Sequence, residues 1–535
     1  GTYVDADLAD PTIYTLFVHQ SAYGLALKEH YLNDTKYGEE VQKPYRAYIK
    51  DLLAKLTDNE AGANTSANTI WGFETCVADG MLDPDELRQV EDISDVTLYK
   101  DANFGSEFFE KTMESKIGSR KTVDPDSRIS YVKSFVDHVD GCITSDLSDE
   151  KDFKTYLALR YIMRYSTYAQ KAWRDISWGY AAKVSGVDIK PARWKSCIDL
   201  TMNVFPFAIG RIFTDEIFRE DSKKSTMEMI GYIKESFESL LPDLSWMDDE
   251  TREKSVAKAE AVDHKIGYPD WTYDNDKLNN YDKDVTITKD NQLENIFSAM
   301  LVNMNRDFEV LNNVVDRKKW FMSPAVVNAY YNPKGNEMVF PAAILQPPFF
   351  FATHPMYVNF GSIGVVIGHE LTHGFDDNGR KYDKDGKKVD WWSDEVTEKF
   401  TEQTQCMIDQ YGNYTILGHP VNGRLTLGEN IADNGGVKQA FRAYKNWVKK
   451  NGKEPSLPGT TITNEQAFFL SYAQIWCQKK TDIAYRDMTT QDPHSPGPQR
   501  VEGPLINSKD FAEAFNCAPG TKMAPADDST RCTVW

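Results

Sequence analysis

The chain has 535 residues, and 61 basic against 81 acidic side chains leave a formal charge of −20, with a sequence pI near 5.0. At about 150 residues per compact unit the length suggests three or four units, and 41% apolar with 12% aromatic residues, against 27% charged, excludes global disorder. The acidic balance argues against nucleic acid or an anionic membrane surface as partner, because both need clustered basic charge.

The chain opens Gly1-Thr-Tyr-Val-Asp5-Ala-Asp7, which is neither a basic signal-peptide region nor an anchor, so any targeting segment is expected to have been removed. Sequons at Asn33, Asn64 and Asn413 fit secretion. Four of the seven cysteines (Cys406, Cys477, Cys517, Cys532) fall late in the chain and none forms a C-x-x-C pair, which suits local stapling in an oxidising compartment. Turn-rich residues from Lys116 to Ser127 and the acidic stretch Asp140 to Asp152 mark a first candidate boundary. Tyr268 to Asn291, rich in aspartate and asparagine, marks a second.

Ahead of that second boundary, Ile230, Ile233, Phe237, Leu240 and Leu241 recur at helical steps before Pro242 and predict an amphipathic helix. Ala325 to Tyr331 and Glu337 to Phe340, separated by Asn332-Pro-Lys-Gly335, predict a hairpin. The uncharged stretch Met338 to Gly368 contains Pro341, Pro347, Pro348, His354 and Pro355, so it is expected to be buried core and not a membrane span.

His369-Glu370-Leu371-Thr372-His373 is the sharpest signal in the chain. On a helix the i, i+4 spacing puts both imidazoles on one face, about 6 Å apart at Cβ, within reach of one tetrahedral zinc ion. Glu370 then lies beside the metal. Ile363, Val366, Ile367 and Leu371 supply an apolar face, and Gly374 offers a natural end. Further on, Asp383-Lys-Asp385-Gly386 hints at a calcium loop but lacks the carboxylates at its first and twelfth places, Lys381 and Trp392.

A third ligand must come from elsewhere, and Glu429 in Gly428-Glu-Asn-Ile-Ala-Asp-Asn-Gly-Gly436 is the candidate. Glu429 and Asp433 are again i, i+4, on what reads as a short helix closed by two glycines. Alone the pair reads as an exposed acidic face. Beside the histidines, a zinc ion on Glu429, with Asp433 accepting the outer N–H of a ligating histidine, would offset the like-charge repulsion. A further helix is expected from an Asn464 cap through Phe468, Tyr472, Ile475 and Trp476. His494 and Arg500 lie in a proline-stiffened loop, suited to stabilising an oxyanion and to holding a carbonyl or carboxylate. From the residues alone they read first as two surface cations. No repeat, G-x-S-x-G, P-loop or G-x-G-x-x-G motif appears, so the whole is expected to be mainly α with a small β-sheet.

These residues resemble the neprilysin and endothelin-converting-enzyme family of zinc metallopeptidases. The resemblance rests on Val327-Asn-Ala-Tyr-Tyr331, Phe340 to Phe350, Gly368 to Arg380, Gly428 to Gly436, His494-Ser-Pro-Gly497 and the terminal Cys532-Thr-Val-Trp535. It is nearly continuous from Cys197 onward and looser before, where Gln20 to Tyr31 is the best piece.

The resemblance implies one zinc ion per chain on His369, His373 and Glu429, with Glu370 as general base and Asp433 as orienting carboxylate. It implies His494 as transition-state stabiliser and Arg500 as substrate ligand, with Asp376 buttressing that arginine. Asn328 and Ala329 would bind extended substrate backbone. Ile344, Phe349, Val365, Val366, Ile475 and Trp476 would form the pocket for the residue after the cut. Cys406 and Cys532 match a family disulfide. The usual partners of Cys477 and Cys517 lie upstream of the position of Gly1, and Cys197 is left with Cys76 or Cys142 as candidates.

The family fold implies a two-domain metallopeptidase. A thermolysin-like catalytic domain (1–145 and 293–535) would face a smaller helical cap domain (146–292) across a cavity that admits oligopeptides and excludes folded proteins. The expected activity is that of an extracellular zinc-dependent endopeptidase, secreted or the ectodomain of a membrane-anchored protein, cutting oligopeptides before large hydrophobic residues. The alternative is a catalytically inactive peptide-binding relative. Peptides are the expected partners, nucleic acid is not, and membrane contact would come only through an N-terminal segment that this chain does not carry. No oligomeric state follows from the sequence.

Overall fold

The computed structural model describes residues 1–21, 23–33, 36–102 and 124–535. Helices dominate these residues, with small sheets. The expected turn-rich boundary at Lys116 to Ser127 lies, for residues 116–123, outside the described part.

Near the start of the chain a four-stranded sheet runs in the order Thr2–Ala6, Tyr14–Val18, Arg128–Tyr131, Asp95–Leu98. A three-stranded sheet places Glu337–Pro341 between Asp263–Gly267, which is parallel to it, and Tyr330–Asn332, which is antiparallel. Every residue of that central strand is buried. The expected hairpin is present but shorter: only Tyr330 to Asn332 pair, in the register Tyr330 to Val339, and residues 325–329 stay outside the ladder.

The amphipathic helix read from Ile230 to Leu241 is Glu220–Leu240, with Ile230, Ile233, Phe237 and Leu240 all buried. Its buried face joins one large core together with Phe340, Ile344, Ile363, Leu371, Ile431 and Tyr472. A separate core gathers Leu25, Ile49, Leu52, Phe73, Val77, Val139 and Leu159. The expected boundaries at 145/146 and 292/293 therefore coincide with the limits of neither core. Leu159 packs with residues before 145, and residues 229–266 pack with residues after 292, because turn-rich and acidic stretches mark where the chain loops and not which core its neighbours join.

The stretch Met338 to Gly368 is core, as expected, and no described helix is long and apolar enough to cross a membrane. The helix predicted from Asn464 is Asn464–Ile475, but its cap is Thr463, whose hydroxyl accepts from Gln466 N while the Gln466 side chain returns to Thr463 N.

The two helices that matter most are Val365–His373 and Leu427–Asn451. The second runs straight through Gly435 and Gly436, which do not close it as the sequence suggested. Their purpose is close approach. A Cβ on Gly436 would lie 2.6 Å from Val365 O and 2.8 Å from His369 N, and one on Gly368 would lie 2.9 Å from Gly436 Cα. The helices thus touch backbone to backbone. Gly436→Ala is expected to force them apart and cost about 1–3 kcal/mol, read as a lowered midpoint in urea unfolding; an unchanged midpoint would show that the contact can relax freely.

Cys406 and Cys532 are bonded, tying helix Asp394–Gly412 to the C-terminal residues. There the Trp535 ring packs against Trp246, Phe237, Phe375 and Phe400. Cys76 and Cys142 bond each other, so neither is the partner of Cys197. Among the described residues Cys197, Cys477 and Cys517 carry free thiols.

Candidate metal centre

Helix Val365–His373 is buried at Val365, Ile367 and Leu371, which fixes its rotation and turns His369 and His373 to one side. The imidazoles stand edge to face with centroids 4.5 Å apart and Nε2 atoms 3.0 Å apart. Glu429, on the glycine-packed helix, brings Oε2 to 3.2 Å from His369 Nε2 and 3.5 Å from His373 Nε2. Bonds of about 2.0–2.1 Å to a tetrahedral zinc ion would put neighbouring donors about 3.3–3.4 Å apart, and the three separations, 3.0, 3.2 and 3.5 Å, lie close to that edge length.

The protons are accounted for elsewhere. His369 Nδ1 is 2.9 Å from Asp433 Oδ1, and His373 Nδ1 is 2.7 Å from Asp376 Oδ2. With both Nδ1–H groups donated to carboxylates, each neutral imidazole turns an Nε2 lone pair toward Glu429. Glu429 Oε2 is buried and accepts no hydrogen bond. Three lone-pair atoms facing one another without a hydrogen between them would repel, and a small divalent cation relieves that repulsion. The donor set, two imidazoles and a carboxylate, suits zinc.

With no cation between the three donors, the surrounding carboxylates favour a proton in its place. Burial would raise Glu429, but His373, His494 and His369 hold it well below the usual glutamate range. Burial and His373 press His369 down, and Asp433 and Glu429 outweigh them, raising it. His373 rises well above its ordinary value because Glu429 and Asp376 overcome its burial. Glu370, 5% exposed, is raised chiefly by burial, opposed by the two histidines.

Asp433 serves two partners. Besides His369 it accepts from Arg500, Nε at 2.8 Å and Nη2 at 2.7 Å, and the guanidinium stacks 3.8 Å over the Trp476 ring. Arg500 therefore does not rest on Asp376, as the resemblance implied. Asp376 is occupied by His373 Nδ1 and by the backbone N–H groups of Asn378 and Gly379, at 2.8 and 2.6 Å. Nor is Arg500 in a loop; it sits in helix Gly497–Asn507, whose first turn Pro498 pre-forms. His494 is in the loop before it, with Nε2 3.2 Å from Glu429 Oε2 and Nδ1 2.8 Å from Asp492 Oδ1. Asp492 was missed by the sequence reading, although a carboxylate two residues before a histidine in a proline-rich loop was a usable sign.

The loop after His373 is held from within by Lys258. Its ammonium is fully buried and donates to the carbonyls of Gly374, Gly379 and Tyr382 at 2.6, 2.8 and 2.6 Å. Burial pulls this lysine down to about 7, against the opposing pull of Asp376 and Asp383. Nothing local in the sequence marks it.

A cavity of about 510 Å³ opens over the three donors. Its walls include Asn328, Ala329, Ile344, Phe349, Val365 and Val366, along with Glu370, Asp376, Asp433, Trp476, His494 and Arg500. Ile475 is not in the wall; it is half-buried against the main core, one helical step away from the side that Trp476 presents. Tyr330–Asn332, which follows Asn328 and Ala329, is an edge strand of its sheet.

Known proteins resemble this chain over its whole length. Two models described as peptidase family M13 match residues 1–269 and 328–532. Endothelin-converting enzyme 1 of Bos taurus is 39% identical over 543 residues, covering 100% of this chain and 71% of the relative. Neprilysin-11 of Caenorhabditis elegans is 36% identical over 557 residues, covering 100% and 64%. A crystal structure of the Mycobacterium tuberculosis zinc metalloprotease ZMP1 with an inhibitor superposes with a TM-score of 0.87 at 29% identity, covering 100% of this chain and 80% of that one.

Proposed function

The chain belongs to peptidase family M13, the zinc metalloendopeptidases of the neprilysin and endothelin-converting-enzyme kind, and from that premise we propose that it cuts oligopeptides before large apolar residues in the extracellular space. The observation that carries this reading is the convergence of His369, His373 and Glu429, with buried Glu370 beside them, at the floor of a walled cavity.

These three residues would hold zinc, which when bound supplies Lewis acidity to the scissile carbonyl and lowers the pKa of water toward about 7. Glu370, adjacent to the donors and walled from bulk solvent, takes a proton from the attacking water and returns it to the leaving nitrogen. His494, steadied by Asp492, stands where negative charge develops on the carbonyl oxygen and donates to it. Asn328 and Ala329, leading into an edge strand, pair with extended substrate backbone. Arg500, already anchored by Asp433, holds a substrate carbonyl or carboxylate. Ile344, Phe349, Val365 and Val366 receive the side chain after the cut, and their apolar surface favours a large hydrophobic residue. The paired cysteines and the sequons support an extracellular setting.

The test is a set of quenched ten-residue peptides differing only after the scissile bond. Phe or Leu there should give kcat/KM at least about tenfold above Asp. Equal rates would remove the pocket assignment. Hydrolysis of a folded protein as fast as the peptides would remove the enclosed-cavity reading, and stoichiometric zinc with no hydrolysis would favour a peptide-sequestering role.

A further inference from the structure

Residues 88–92 begin where the short helix Pro84–Leu87 ends, and they grip the loop that follows His373. Arg88 Nη1 donates to Asp377 Oδ1 at 3.2 Å, its Nη2 pairs with Asp377 Oδ2, and Gln89 Nε2 donates to the same Oδ2 at 3.1 Å. Asp92 pairs with Lys381 and, at 2.7 Å, with Lys388. Glu91 accepts from the Tyr382 hydroxyl. Val90 between them packs on the other core, the one built from Leu25 to Leu159. The grip therefore comes from outside the core that carries the histidines.

Arg88 reaches furthest into the site. A Cβ on Gly428 would lie 2.6 Å from Arg88 Nη1, 3.0 Å from Asp377 Oδ1 and 3.1 Å from Asp376 Oδ2. The guanidinium thus fills the space that a side chain at 428 would need, beside the backbone of Glu429 and against the carboxylate that orients His373. The side chains of Arg88 and Asp377 are only 18% and 9% exposed, so their fork-to-fork pairing is shielded from salt.

We propose that Arg88 is a positioning residue of the metal centre: by fixing Asp377 it holds the neighbouring Asp376 where it keeps His373 Nε2 turned toward Glu429. This assigns a reason to Gly428, the residue that leaves room for the guanidinium. It also makes the geometry of His373 depend on a residue that lies 289 positions before Asp377 in the chain. The inference rests on the zinc-site reading above.

The sign of one measurement separates positioning from simple electrostatics. Removing a cation beside several carboxylates would by charge alone make a bound divalent ion leave more slowly. Loss of an orienting contact makes it leave faster, since disturbing the outer partners of a ligand costs about 10–100-fold in affinity or activity. Zinc transfer from the full chain to a colorimetric chelator should therefore be about tenfold faster in Arg88→Met than in the unaltered protein. Turnover should fall by a similar factor, with KM within about twofold. Arg88→Lys, which keeps the charge and loses the fork, should lie between the two and serves if the Met variant does not fold. The double variant Arg88→Met with Asp377→Asn should release zinc no faster than the worse single one. Release that is unchanged or slower in both Arg88 variants, or losses that multiply in the double variant, would overturn the proposal. An unaltered chain that binds no zinc would instead overturn the metal-site reading beneath it.

Discussion

Glu370→Gln should retain one zinc ion per chain and lose at least about a hundredfold in turnover, and up to about ten-thousandfold. The substitution is nearly isosteric and Glu370 is not among the three converging donors, so nothing that holds the ion changes. What changes is proton capacity. A carboxamide cannot accept the proton of an attacking water, and the buried setting of Glu370 offers no nearby substitute from bulk solvent. Zinc by atomic absorption and turnover of a quenched peptide settle it together. Full activity would mean that the base is misplaced, whereas loss of zinc would mean that Glu370 belongs to the coordination sphere.

The second large effect is expected from Asp433→Asn. The carboxylate is 1% exposed and serves His369 Nδ1 with one oxygen while both oxygens accept from Arg500. An amide keeps one acceptor and turns two hydrogens toward either an imidazole N–H or a guanidinium. Either choice leaves a buried donor facing a donor. Stranding Arg500 without its counter-charge should cost about 3–5 kcal/mol of stability, as for other broken buried ion pairs. Freeing His369 should cost about 10–100-fold in zinc affinity. Asp376→Asn is the control: it frees His373 but strands no cation that depends on Asp376 alone, so it should match the zinc loss with a smaller fall in stability. Equal destabilisation by both variants would contradict the assignment of Arg500 to Asp433.

Much of this centre was legible because it is written at helical spacing. His369 and His373, and likewise Glu429 and Asp433, are i, i+4 pairs whose shared face follows from 3.6 residues per turn. Where interpretation failed, the missing information was tertiary. Gly435 and Gly436 looked like a helix stop because glycine is poor in a helix interior. Their cost is offset by a backbone contact with Val365 and His369 that no local window contains. The resemblance gave Asp376 to Arg500, whereas packing gives that arginine to Asp433 and Asp376 to His373. Ile475 and Trp476 fit one hydrophobic pattern, yet only the second reaches the cavity. Lys258 and Arg88 carried no signal at all, being single cations among 61, each meaningful only once the loop after His373 is folded over it.

The backbone contact between Gly368 and Gly436 has a bearing on which ions the protein accepts. Because the helices that carry the imidazole pair and Glu429 already meet backbone to backbone, the main chain limits how far the gap between the imidazoles and the Glu429 oxygen can open or close. Such a rigid, nitrogen-rich cradle discriminates by size and softness. Calcium, which takes six to eight oxygens at about 2.3–2.6 Å, finds neither the room nor the donors, and should be unable to displace zinc at any physiological concentration.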